Sequence, residues 1–150
     1  MKIRIAAVGK IPDMYKAPYN EYLKRLKRYC DIEVCEVQEA KGEPAKAKRI
    51  EAEALTRLIP PESQVVALDI AGKSYSSVAF AQKLEGIMQS GQNICFILGG
   101  PEGFDGELIK RANDSISMSA MTFTHQMARV MLMEQLYRGF KIIKNEPYHK

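Results

Sequence analysis

The stretch that decides the fold is FILGGPEGF, residues 96–104. An apolar run, Ile94 to Leu98, ends in two glycines, a proline, an acid and a third glycine. The run reads as a strand buried on both faces. The turn after it is stiff at Pro101 and nearly free of Cβ atoms elsewhere, so backbone N–H groups there can approach a ligand closely. Working outward, QVVALDI at residues 64–70 is a second apolar run of the same kind, and KIRIAAV at residues 2–8 is a third. IEVCEVQ at residues 32–38 alternates apolar and acidic residues, as a half-exposed strand does.

Helical segments fall between these runs. Tyr19, Tyr22, Leu23, Leu26 and Tyr29 share one face, with Pro18 in the first turn and an end near Tyr29. Ala45 to Ile59 places Ile50, Ala54, Leu55 and Leu58 on one stripe, and Pro60 and Pro61 stop it. AGKS, residues 71–74, reads as a turn, after which Ser76 or Ser77 caps a helix that ends near Ser90-Gly91. A short helix Asp105–Ala112 leads to a strand near SISMSAM, and Thr124 caps a long helix to about Phe140. KIIKNEPYHK closes the sequence as a short extended piece. Alternating strands and helices predict an α/β fold, a mostly parallel sheet with helices on both faces, formed by residues 1–150 as one domain. Such sheets bind ligands at the carboxyl ends of their strands. LDIAGKS (68–74), FILGGPEGF and SAMTFT (119–124) all lie at such ends, so three loops are candidates for one pocket.

Composition narrows the classes. With 46% hydrophobic and 27% charged residues, the chain is that of an ordinary globular protein, and no apolar run approaches the roughly 20 residues of a membrane span. MKIRIAAVGKIPD reads as a first strand rather than a signal peptide. Cys30, Cys35 and Cys95 form no CxxC pair and have no histidine near them in sequence. They read as buried small side chains in a reducing cytosol, with no disulfide framework and no metal site. A net charge of +4 permits an anionic partner such as nucleic acid without demanding one. The basic stretch Tyr22 to Tyr29 fits either a solvated helix face or a phosphate contact.

Two nucleotide motifs fail on spacing. A dinucleotide fold needs GxGxxG after the first strand, where this chain has only VGK. A P-loop needs a glycine five before Gly72, where Ala67 stands. That leaves a nucleotide-like pocket of another kind, or a tight turn without a ligand. The long helix carries Met127, Val130, Met131, Met133, Leu136, Tyr137 and Phe140, which suits burial in the core or against a second copy of the chain. Arg129, near its start, must find a partner or reach a pocket.

The combination of IAAVGK, VALDIAGKS, ILGGPEG, SAMTFTHQMARVMLMEQLYR and NEPYH resembles the RlmH (YbeA-like) family of SPOUT-class methyltransferases from end to end. The resemblance implies a knotted (trefoil) α/β fold, a cytoplasmic homodimer, and S-adenosylmethionine as cofactor. It implies N3-methylation of a pseudouridine in helix 69 of 23S ribosomal RNA, on assembled ribosomes. It carries cofactor contacts to Leu68, Gly100, Ser119, Ala120, Met121, Thr122, Phe123 and Thr124, with Asp69, Gly99, Glu102 and Gly103 as supports. Leu68, Met121 and Phe123 would supply apolar walls and the backbone would read the adenine edge. His125, Arg129, Tyr148 and His149 are the candidate catalytic groups, able to stabilise charge as the imide loses its proton. His125 fits equally a helix-start residue bonded locally, and His149 a frayed terminus. The resemblance sets the tail beside the partner subunit's site. The family commonly has arginine after PYH, where this chain has Lys150, a charge without a bidentate fork. A non-catalytic ribosome-binding factor of the same fold is the alternative, and the intact GGPEG and SAMTFT motifs count against it. A nucleotide-dependent oxidoreductase lacks its phosphate loop.

Overall fold

The computed structural model describes residues 1–150. Ten elements alternate: β1 (Lys2–Val8), α1 (Asp13–Leu26), β2 (Asp31–Val37), α2 (Pro44–Leu58), β3 (Gln64–Ser74), α3 (Ser77–Gln89), β4 (Ile94–Leu98), α4 (Gly106–Arg111), β5 (Asp114–Ser117) and α5 (His125–Ile143). The five strands form one sheet in the order β2-β1-β4-β3-β5, and every pairing is parallel. β4, the strand that leads into GGPEG, is central, and all five of its residues are buried.

The strands sort their side chains with a period of two. Ile3, Ile5, Ala7, Val66, Ile94, Phe96 and Leu98 join one core with Tyr19 and Leu26 of α1, Phe80 and Leu84 of α3, and Leu132, Met133, Leu136 and Phe140 of α5. Ala6, Val8, Val65, Ala67, Cys95 and Ile97 point the other way, to Leu55 of α2 and Leu108 of α4. The sheet is thus covered on both faces, as the alternating pattern predicts. Burial also pushes the thiols of Cys30 and Cys95 up to about 12. No helix is long and apolar enough to cross a membrane.

Several local expectations shift. α1 starts at Asp13, so Pro18 lies inside the helix rather than in its first turn. Pro18 has no N–H to give the Met14 carbonyl, which is tolerated because both residues are exposed. α1 also ends at Leu26, because Tyr29 and Cys30 both donate their N–H to the Leu26 carbonyl as the chain turns into β2. AGKS is not a turn. β3 runs through it, with a register shift against β5 between Leu68 and Lys73. A Cβ at Gly72 would lie 2.6 Å from the Ser115 carbonyl carbon, so only glycine lets the strands close there. β5 stops at Ser117, where the hydroxyl donates to the Ser119 carbonyl at 2.9 Å and turns the chain out of the sheet. The rest of SISMSAM is therefore loop. On α2 the buried face is Ala47, Glu51 and Leu55, while Ile50 is 48% exposed. The stripe is rotated from the apolar one the sequence suggests, because a carboxylate takes a core-facing position.

Candidate functional site

Three strand ends converge at the carboxyl edge of the sheet. Leu68, Asp69 and Ile70 of β3, the loop from Leu98 to Phe104, and the segment from Ser117 to Thr124 line a cavity of about 490 Å³. The first residues of α5, among them His125, complete the wall. Each segment is held by its own local bonds. Gly103 donates its N–H to the Gly100 carbonyl at 3.0 Å, closing GGPEG into a tight turn. The Ser119 hydroxyl accepts from the Met121 N–H at 3.0 Å. Thr124 caps α5 by accepting from the Met127 N–H at 3.3 Å. Much of the wall is apolar, with Met121 (75% exposed) standing open at it and Phe123 (36%) partly so. An apolar cavity with a few convergent polar groups suits a small-molecule ligand.

The structure brings together Leu68, Gly100, Ser119, Met121, Thr122, Phe123, Thr124 and His125, together with Asp69, Gly99 and Gly103. Ala120 is exposed and does not line the cavity. Arg129 does not line it either. Its guanidinium is 1% exposed, donates to the Gly9 carbonyl at 2.9 Å and to Glu36 Oε2 at 2.7 Å, and lies over the Tyr19 ring. Arg129 therefore ties the start of α5 to the ends of β1 and β2, next to the cavity.

His125 Nε2 and Glu39 Oε2 both flank Gly9, at 4.0 and 3.8 Å from where a Cβ of residue 9 would stand. Burial holds the His125 ring below its ordinary value; Glu39 opposes that shift and Arg129 adds to it. The imidazole is consequently neutral at neutral pH and can accept a proton.

Tyr148 and His149 lie elsewhere in the protomer. The Tyr148 hydroxyl donates to Glu134 Oε1 at 3.0 Å and meets the Tyr22 hydroxyl at 3.1 Å, and its ring packs edge-on against Tyr137. His149 Nδ1 lies 3.2 Å from Arg138 Nη1. Glu134 and Arg138 sit roughly 14 and 20 Å along α5 from His125 at the helical rise. Burial, then Tyr22 and Glu134, raises the Tyr148 phenol, which stays protonated. No group of three or more histidine, cysteine or acidic side chains is placed to hold a metal.

Sequence reasoning missed two carboxylates beside the site. Glu36 was one more acid in an alternating strand, and Glu51 one more charge on a helix. Neither position carries a sequence signal, because the burial of Glu51 and the pairing of Glu36 with Arg129 follow from how α2 and α5 dock.

The family model described as "Predicted SPOUT methyltransferase" matches residues 1–149. The chain is 48% identical, over the full length of both, to Ribosomal RNA large subunit methyltransferase H of Ruminiclostridium cellulolyticum. It is 44% identical, again over all of both chains, to the protein of that name from Acetivibrio thermocellus. A solved probable methylase family protein from Haemophilus influenzae superposes with a TM-score of 0.51 at 13% identity. That alignment covers 99% of this chain and 70% of the other, and the likeness extends to fold alone. A parallel five-stranded sheet whose three strand-end loops enclose one cavity, and a family match along nearly the whole chain, agree: the chain belongs to the SPOUT methyltransferase family.

Proposed function

We propose that this protein is an S-adenosylmethionine-dependent ribosomal RNA methyltransferase. Its substrate is N3 of a pseudouridine in helix 69 of 23S rRNA, and it acts in the cytoplasm as a homodimer on assembled ribosomes. The observation that carries the reading is the cavity of about 490 Å³ built from the glycine loop and the 117–124 segment. Its volume lies within the usual range for small-ligand sites. The full-length likeness to ribosomal RNA large subunit methyltransferases gives the substrate class.

The residues present fit the cofactor. Leu68, Met121 and Phe123 offer apolar walls, and the backbone of Gly100, of Ser119 and of residues 121–124 offers donors and acceptors for an adenine edge. When bound, S-adenosylmethionine supplies an electrophilic methyl group, and the imide nitrogen that takes it gives up a proton. His125 lines the same cavity in its neutral form and is suited to accept that proton. Arg129 acts at one remove, holding Gly9 and the first turns of α5. The exposed Met127 and Ile70 are apolar groups that a second protomer would cover. In such a pair Tyr148 and His149 would serve the partner's cavity, since both lie well away from His125 in their own protomer.

The test is incubation with labelled S-adenosylmethionine and ribosomes that lack this modification. Label mapped by mass spectrometry to a helix 69 pseudouridine is the expected result. Label elsewhere in rRNA would keep the reaction and change the substrate. Cofactor binding without label would reopen the substrate class, and absence of both would favour a non-catalytic ribosome-binding factor.

A further inference from the structure

Glu51 is a buried acid that the site described above does not use. It is 5% exposed, on the face of α2 that packs against the sheet. Its Oε2 accepts from the Ala40 N–H at 3.0 Å, in the connection between β2 and α2. Its carboxylate also stands directly behind Gly100. A Cβ on Gly100 would lie 3.2 Å from Glu51 Oε1, 3.4 Å from Oε2 and 3.2 Å from Val8 Cγ1. The missing side chain of Gly100 therefore faces Glu51 and Val8. A methyl group at position 100 would crowd that carboxylate, and Glu51 and Val8 would have to give by a few tenths of an ångström.

We propose that Glu51 is a positioning residue for the cavity: it braces the Gly99–Gly103 loop from behind and joins it to the 38–42 segment as one rim. The inference deepens the reading that this cavity takes S-adenosylmethionine. Three facts converge on it. A buried carboxylate is costly to desolvate, so a helix surface has no reason to hold one without a contact to make. Glu51 bonds Ala40 and stands behind Gly100, and these two residues belong to separate connections at the carboxyl edge of the sheet. One of them lines the cavity, and the other adjoins Glu39, which flanks Gly9 beside His125. The charged groups that face Glu51 are Glu39 and Glu102; together with burial, the main cause, they raise its carboxyl, and the Ala40 N–H opposes them. Nothing cationic compensates it, so its place is set by packing and by one backbone bond.

The experiment compares wild type, Glu51→Ala, Glu51→Gln and Gly100→Ala by hydrogen exchange without ligand and by S-adenosylmethionine titration. Glu51→Ala is expected to speed exchange at amides between Gly99 and Phe104 by about tenfold or more, with β1 and the body of α5 unchanged. It should weaken S-adenosylmethionine binding about tenfold. Saturating cofactor should restore the methylation rate, so the loss sits in KM rather than kcat. Glu51→Gln keeps an acceptor for Ala40 and bulk behind Gly100, and should recover both properties. If Glu51→Ala fails to fold, Gly100→Ala, whose methyl group pushes on Glu51 and Val8, should give the same loop-local exchange. Unchanged exchange at 99–104 in these variants would overturn the proposal, and so would acceleration spread evenly over β1 and α5. A wild type that binds no S-adenosylmethionine would refute the cofactor reading, while the exchange comparison would still decide the role of Glu51.

Discussion

The Arg129 guanidinium and the Glu36 carboxylate meet at 2.7 Å, joining α5 to β2 across 93 residues of sequence. Arg129 is almost fully buried, whereas the Glu36 side chain keeps a third of its exposure. The same guanidinium holds the Gly9 carbonyl, and Glu36 also accepts from the Ile11 N–H at 3.1 Å. The connection from β1 to α1 is thus clamped from both sides. Replacing Arg129 by methionine leaves the Gly9 carbonyl without its partner, while Glu36 can recover water. The expected loss is about 2–3 kcal/mol of stability. Arg129→Lys should recover only part of it, because an ammonium lacks the fork that reaches both oxygens. Urea unfolding checks both values.

His125 predicts the sign of one pH effect. Its folded pKa is lowered, chiefly by burial, so its neutral form is favoured by folding. That contribution is fully present above the unfolded value of about 6.5 and is lost as pH falls through the folded one. His125→Gln should flatten the acid side of the stability curve below about pH 6.5. An NMR titration of the imidazole should give a midpoint below that of an unfolded peptide. A midpoint at or above the peptide's would refute the lowering of the ring by burial.

Gly72 tests the close approach of β3 and β5. A methyl group there would meet the backbone of Ser115 and Ile116 at 2.6–2.7 Å, and backbone cannot step aside as a flexible side chain can. Gly72→Ala should cost about 2 kcal/mol or more, read as a lower urea midpoint.

Met121 and Phe123 separate binding from folding. Both are exposed at the cavity wall, so truncation to alanine should change stability by no more than about 0.5 kcal/mol. Removing their apolar surface should weaken S-adenosylmethionine binding by about tenfold for the pair. Calorimetry on the double variant tests both statements at once.

Truncation after Pro147 removes Tyr148, His149 and Lys150. These residues lie along α5 away from the cavity of their own protomer, so S-adenosylmethionine affinity should be unchanged. Methyl transfer to ribosomes should fall steeply. Full activity of the truncated protein would dismiss the tail from the reaction.

What the sequence determined by itself was local. Alternation of apolar runs with helical stripes predicts the parallel sheet, because period and run length depend only on neighbours in the chain. Ser76, Asp105 and Thr124 mark helix starts for the same reason: each cap bonds a backbone N–H two or three residues on. The glycine loop, LDI and SAMTFT could be assigned to one pocket because strand ends of a parallel sheet share an edge. The tertiary structure decided whatever depends on docking between distant segments. Arg129 turned away from the cavity because Glu36 and the Gly9 carbonyl stand within its reach. AGKS stayed in β3 because β5 pairs alongside it. Glu51 displaced Ile50 from the buried face of α2 because a loop with no side chain at Gly100 leaves room for a carboxylate. Each of these outcomes rests on a contact between residues that no local pattern brings together.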